Sequence, residues 1–256
     1  MKIFVCVKHV PDTAATIKVS DDSGFEDADI KFVPNPYDEY GIEEAVKIVE
    51  NQGGEVVIVT VGKGAATATI RSAMAMGAAR AILVKTDSQF LDSSLTANAL
   101  KAAIEADGLP DMIFTGKGSV DSEGFQTQYR LAAALGIPVV NEVSGLDLDG
   151  NTVQVKRETG GGEKQVIEMT LPCVVGATKG LNEPRYPKFP DIMKAKKKEI
   201  KEIDIADLGI DPSAQSVCIE KLEIVPERSD AKILDGSVDE QVTELVRILK
   251  QEEKVL

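Results

Sequence analysis

Residues 115–128 read Thr-Gly-Lys-Gly-Ser-Val-Asp-Ser-Glu-Gly-Phe-Gln-Thr-Gln, a glycine-rich polar turn between an apolar run and a helical stretch holding Leu131 and Leu135. Gly116 and Gly118 permit close backbone approach, and amides at a helix start favour phosphate oxygens. Ser119, Ser122, Gln126 and Thr127 add neutral hydrogen-bonding groups. The turn resembles a nucleotide loop, and nothing in it activates a nucleophile. A second turn, Gly62-Lys63-Gly64-Ala65-Ala66-Thr67, resembles part of a dinucleotide fingerprint without its third glycine; a tight strand-to-helix connection is the favoured reading, with backbone amides that could still face a phosphate. A third, Asn35-Pro36-Tyr37-Asp38, precedes a long helix, with Asp38 expected as N-cap and Tyr37 at the ligand end of the sheet. Three polar turns at one sheet edge point to a nucleotide cleft.

Residues 182–198, Asn-Glu-Pro-Arg-Tyr-Pro-Lys-Phe-Pro-Asp-Ile-Met-Lys-Ala-Lys-Lys-Lys, have the shape of a docking segment. Pro184, Pro187 and Pro190 are expected to hold it extended until Asp191 or Ile192 starts a helix. Phe189 would then face a partner as an aromatic anchor, with the lysines steering encounter. The alternative is a surface turn whose Phe189 folds back into the core.

Other chemistries are excluded by residue type. His9 is the only histidine, which removes histidine-rich metal sites and argues against a conventional Ser-His-Asp triad; placed just after a strand, it reads as structural. Cys6, Cys173 and Cys218 are widely separated and read as buried thiols, with neither zinc spacing nor a redox pair. No catalytic residue and no metal are expected. Trp is absent, aromatics are 4%, and the formal charge is −13, which argues against nucleic acid and anionic membranes. No apolar run approaches a membrane span, and Met1-Lys2-Ile3-Phe4-Val5 reads as a first strand. The chain is expected to be soluble and intracellular: cytoplasmic, or in the mitochondrial matrix of a eukaryote.

The elements that must position these turns follow from periodicity. Lys2–Lys8, Glu55–Val61, Ala81–Lys85 and Asp111–Thr115 are short apolar or β-branched runs suited to buried strands. Between them, Glu39–Val49, Ala65–Met76 and Leu95–Glu105 carry apolar helical faces. The alternation predicts an α/β fold, a doubly wound, mostly parallel sheet that binds ligands beyond its strand carboxyl ends. After Pro138, Val143–Leu148, Thr152–Glu158 and Lys164–Thr170 read as an antiparallel β meander with glycine turns, and Pro172–Thr178 as a strand returning to the main sheet. Gly209, Asp211, Pro212 and Ser213 mark an irregular connection, and Asp239–Glu253 a terminal helix. The organisation expected is an α/β domain over 1–225 and a C-terminal arm over 226–256.

These residues resemble the β subunits of the electron-transfer flavoproteins over nearly the whole chain. The resemblance rests on Val5-Cys6-Val7-Lys8, the Asn35-Pro36 turn, Ala75-Met76-Gly77-Ala78 with Arg80, and the Asp121–Thr127 loop. It also rests on Val155-Lys156-Arg157-Glu158, Leu171-Pro172, Asn182-Glu183-Pro184-Arg185-Tyr186 and Ile192-Met193-Lys194-Ala195-Lys196. It implies a Rossmann-like, adenine-nucleotide-binding domain paired with an α subunit that holds most of an FAD. The heterodimer would carry electrons from acyl-CoA or related dehydrogenases to a quinone oxidoreductase.

By the same resemblance this chain would bury a redox-silent AMP among Cys6, Asn35, Pro36, Tyr37, Asp38, Val61 and the loop Gly118, Ser119, Val120, Asp121, Ser122, Glu123, Gly124, Phe125, Gln126, Thr127, Gln128 and Tyr129. Partner docking would fall on Glu183, Pro184, Arg185, Tyr186, Phe189, Ile192, Met193 and Lys194, and the arm would contact the α subunit. Phe189 stands where the family places a leucine, which implies a differently shaped receiving pocket. Gln128 follows Thr127 where a glycine is common. Electron-bifurcating members use NADH and a second FAD in place of AMP; they tend to carry a threonine after the docking Asn and an Asp-Gly-Asp-Thr run. This chain has Glu183 and Asp121-Ser122-Glu123-Gly124 at those places. A stand-alone nucleotide-binding sensor on the same fold is a further alternative.

Overall fold

β-Branched and apolar residues dominate Lys2–Cys6 (β1), Glu55–Gly62 (β4), Arg80–Lys85 (β5), Met112–Gly116 (β6) and Cys173–Ala177 (β10), and their central residues are buried. Burial on both faces is what a parallel sheet covered by helices demands. The computed structural model describes residues 1–20, 24–226 and 230–256. It divides into two compact units, Met1–Leu222 and Glu223–Leu256.

In the first unit the main sheet runs β11-β5-β4-β1-β6-β10-β7-β8-β9. Here β7 is Val139–Asp149, β8 Thr152–Gly160, β9 Glu163–Thr170 and β11 Ile200–Asp204. From β11 to β7 every neighbour is parallel, and β7-β8-β9 is antiparallel. The expected doubly wound sheet with its meander is therefore present, and Pro172–Thr178 does return to the sheet, between β6 and β7. β7 serves both halves: Val139 and Val140 pair with β10, and Leu146–Asp149 pair with β8. The change of partner falls at a register shift near Val143, beside Glu142 at φ 61°.

Helices Pro36–Gln52 (α1) and Thr67–Ala75 (α2) cover one face, where Ile42, Ala45, Val46, Ile70 and Met74 pack on Ile3, Val5 and Ile58. Ser93–Asp107 (α3) and Thr127–Leu135 (α4) cover the other, packing Leu100, Ile104 and Leu131 on Phe4, Val57 and Ile113. Because the chain winds from β1 outward through β4 to β5 and then crosses to β6, the winding reverses between β1 and β6. That reversal is the place where open α/β sheets form a ligand crevice.

Three elements lie outside the sequence-based expectation. His9–Pro11 (β2) and Phe32–Pro34 (β3) form a two-stranded ribbon whose brevity and prolines hide it from periodicity. β11 is the sheet's edge, and its alternating Lys201 and Glu202 mask a strand. The docking segment starts its helix earlier than expected: Phe189–Ala195 (α5) begins at Phe189, with Pro190 in the first turn, where its missing N–H costs no helical bond.

The second unit holds Val238–Arg247 (α6), continued by a wider turn over Ile248–Glu252. Its N-terminus is a capping box between Ser237 and Glu240. The expected helix Asp239–Glu253 is thus seen, while residues 227–229 of the expected arm lie outside the described residues. No helix among the described residues is long and apolar enough to cross a membrane.

Candidate functional site

The loop after β6 crosses the carboxyl end of β1 and is held there by α1. Asp38 lies in the first turn of α1, buried, and does not cap it: Asn35 occupies the cap position and makes no side-chain cap bond. The expected N-cap role is corrected by this geometry. Asp38 Oδ2 accepts from the Lys8 amide at 2.7 Å, and Oδ1 accepts from the Gly116 amide at 2.9 Å and from Asn35 Nδ2 at 2.8 Å. One carboxylate therefore joins the ends of β1 and β6. Burial pushes the Asp38 carboxyl up to about 7, opposed by these N–H donors. Gly116 is required here, because a Cβ would meet Tyr37 Cβ at 2.7 Å and the Tyr37 carbonyl carbon at 2.9 Å.

Asn35 extends the clamp into the loop, donating from Nδ2 to the Gly118 carbonyl at 2.9 Å and accepting from the Val120 amide at 3.1 Å. Lys8 reaches over the same loop: its Nζ is 2.8 Å from Asp121 Oδ1 and 3.3 Å from both Ser119 Oγ and Ser122 Oγ. Gln128 is buried and turned inward, its Nε2 donating to the Lys117 carbonyl at 2.9 Å and to Phe125 O at 3.3 Å. Asn141 Nδ2 donates to the same Lys117 carbonyl at 3.0 Å. The Lys117 ammonium stands 4.9 Å from the centroid of the Tyr37 ring.

Sequence reasoning placed the Asn35–Asp38 and Gly118–Tyr129 turns at one sheet edge, and the structure brings them into contact. Cys6 ends β1 and is buried, which raises its thiol far above the usual range and leaves it inert. Val61 stands half-buried near the end of the adjoining β4, and the Gly62–Thr67 connection is a tight turn over Gly64–Ala66 before α2. His9 is structural, stacked on Phe32 at 4.2 Å with Nδ1 2.6 Å from Thr69 Oγ1. Lys8, Lys117 and Asn141 were missed. For Lys8 a signal existed, a cation directly after the first strand; for Asn141 nothing in the sequence marks a residue opposite a loop 24 positions away.

The loop suits an anionic group. No side chain caps α4, and its first turn holds no acidic residue, so no side chain of its own offsets the positive end of the helix dipole. Glu123 at φ 47° and Phe125 at φ 48° flank Gly124 in left-handed conformations, which curves the preceding backbone. Among the described residues no cluster of three or more His, Cys, Asp or Glu could hold a metal ion.

The docking segment is fixed along α1, from Tyr40 to Glu50. Arg185 forks onto Glu43, with Nε to Oε2 at 2.8 Å and Nη2 to Oε1 at 3.1 Å, and onto Glu50 at 2.7 and 3.0 Å. The Arg185 amide also donates to Glu43, and Asn182 Nδ2 donates to the Tyr40 carbonyl and to Glu44. These charges hold the Arg185 guanidinium above its ordinary range. Held this way, Tyr186 is 96% exposed and Phe189 75% exposed. Phe189 does not fold back into the core. Ile192 and Met193 add exposed apolar surface on α5, while Glu183 and Lys194 lie in solvent and Pro184 is half-buried.

The reversal point between β1 and β6, with a glycine loop and an open helix start above it, defines a doubly wound α/β protein built like a nucleotide-binding domain. The family model described as electron transfer flavoprotein domain matches residues 23–208. The "Electron transfer flavoprotein subunit beta" of Bacillus subtilis (strain 168) is 35% identical, with all of both chains covered. That of Bradyrhizobium diazoefficiens is 39% identical over the full length of both. The mitochondrial β subunit of Arabidopsis thaliana is 38% identical over 96% of this chain and 97% of its own. The chain belongs to the electron transfer flavoprotein family, as a β subunit.

Proposed function

We propose that the chain is the β half of a heterodimeric electron carrier: an α subunit holds most of an FAD, this chain buries a structural AMP above β1 and β6, and residues 183–194 dock an acyl-CoA or related dehydrogenase. The observation that carries the reading is the docking segment, where two aromatics stand in solvent on a turn bolted to α1 by Arg185 and Asn182. Exposed aromatics on a rigid support are what a partner-binding surface requires. The adenylate reading is supported by the uncapped start of α4, the Asn35 and Asp38 clamp, and the neutral donors Ser119, Ser122 and Thr127.

The FAD, when bound, supplies the electron chemistry. This chain orients the partner, stabilises the loop through the nucleotide, and presents the docking surface. Electrons would leave to a quinone oxidoreductase. The arm 226–256 would hold the α subunit; no residue of α6 is buried, and Val238, Val242, Leu245 and Val246 are exposed.

The test is co-expression with the candidate α subunit, purification, denaturation and quantification of released nucleotides. One FAD and one AMP per heterodimer is the expected result. Two FAD and no AMP, with reduction by NADH alone, would replace it with the bifurcating enzyme, and a chain that purifies alone with AMP would make it a stand-alone sensor.

A further inference from the structure

Between the start of α1, α2 and the 184–187 turn lies a cavity of about 290 Å³, walled by Pro34, Tyr40, Met76, Tyr186 and Pro187, with Glu39 at its side. Glu39 is half-buried and has no hydrogen-bond or ion-pair partner among the described residues. Burial lifts its carboxyl above the ordinary range, with no donor to offset the cost. The guanidinium at the rim does not serve it, because Arg185 is committed to Glu43 and Glu50.

We propose that this cavity receives an arginine side chain of a protein partner, with Glu39 as its counter-ion. Two carboxylates already take up Arg185, so the third leaves the cavity with uncompensated negative charge. The volume lies at the small end of ligand pockets and is ample for an arginine side chain. Flat proline and tyrosine faces accept a planar guanidinium better than a hydrated ammonium. The cavity is continuous with the exposed Tyr186, so a partner seated on the docking segment would pass directly over it. The choice of a protein side chain as occupant rests on the docking reading; recognition of a guanidinium by Glu39 does not.

The test uses the full chain titrated with acetyl-Gly-Arg-Gly-amide, the citrulline and lysine analogues, and N-methylguanidinium. Amide resonances of Tyr40, Ser72 and Met76 report the cavity. The arginyl peptide is expected to shift them, with citrulline and the Glu39→Gln variant each at least about tenfold weaker, the loss of roughly one charge-assisted contact. Glu39 has no partner to lose, so the variant keeps its fold, checked by thermal unfolding. Equal binding of citrulline, unchanged binding in Glu39→Gln, or no shift with any ligand would overturn the proposal. Binding of N-methylguanidinium but not of the peptide would overturn the partner side chain in favour of a free cation. Nucleotide content of the co-expressed heterodimer reads other residues, so failure of the carrier reading and failure of this one are distinguishable.

Discussion

Replacing Arg185 by alanine tests whether the docking segment is held by a buried charge or merely rests on the surface. The Glu43 side chain is 4% exposed and takes three bonds from Arg185, one from the backbone amide and two from the guanidinium. Removing one partner of a buried ion pair costs about 3–5 kcal/mol, because the remaining charge stays desolvated. Two features lower that figure here: the Arg185 side chain is 35% exposed, and the residue 185 amide survives as a donor. About 2–3 kcal/mol remains for Glu43, and the exposed arm to Glu50 adds no more than about 1 kcal/mol.

For a unit of this size each kcal/mol moves Tm by about 2–4 °C, so Arg185→Ala should lower it by about 5–10 °C. The assay is thermal and urea unfolding followed by circular dichroism. Limited trypsin digestion beside it should show faster cleavage at Lys188. The decisive control is the double variant Arg185→Met/Glu43→Leu, which removes the charge along with its partner and should recover most of the loss. A shift of Tm below about 1 °C, or a double variant no better than the single, would refute the buried-charge reasoning.

Asp38 predicts an unusual pH dependence. Its folded pKa, about 7, lies above the unfolded value of 3.8, so the folded state binds the extra proton between them. This contribution is fully present below pH 3.8 and is lost as pH rises through about 7, roughly 2–3 kcal/mol from pH 5 to 8, read as a falling urea midpoint that Asp38→Asn should flatten. Gly116→Ala drives a Cβ into the Tyr37 backbone and should cost about 3 kcal/mol, measured by urea unfolding. Phe189→Ala should leave stability within about 0.5 kcal/mol, because the ring is already in solvent, while slowing electron transfer from the cognate dehydrogenase. Unchanged transfer from every candidate dehydrogenase would remove the anchor role.

The parallel core was legible because strands buried on both faces write continuous apolar runs, as in Ile3–Cys6 and Met112–Thr115, and turns write glycine. What stayed hidden depends on tertiary partners. Asp38 has the residue type and place of a cap, yet its carboxylate serves the ends of two strands whose adjacency only the sheet order reveals. β11 was hidden because an edge strand need not be apolar, and its solvent-side Lys201 and Glu202 read as the charged tail around them. Glu43 looked like any exposed helical glutamate; its burial follows from Arg185, 142 residues away. Local pattern carries period and turn chemistry, and a polar residue's role is set by which distant donor arrives beside it.

α1 joins the two candidate sites in one rigid body. Asp38 in its first turn pins the ends of β1 and β6, and Tyr40, Glu43, Glu44 and Glu50 along the same helix pin the docking segment. Asp38 and Glu43 are five positions apart, about 7–8 Å of helix rise. The nucleotide loop and the docking aromatics are therefore set against each other by a single helix packed on Ile3 and Val5, with no flexible linker between them. The fixed spacing is built from two buried carboxylates on one helix, each holding a backbone amide from elsewhere in the chain.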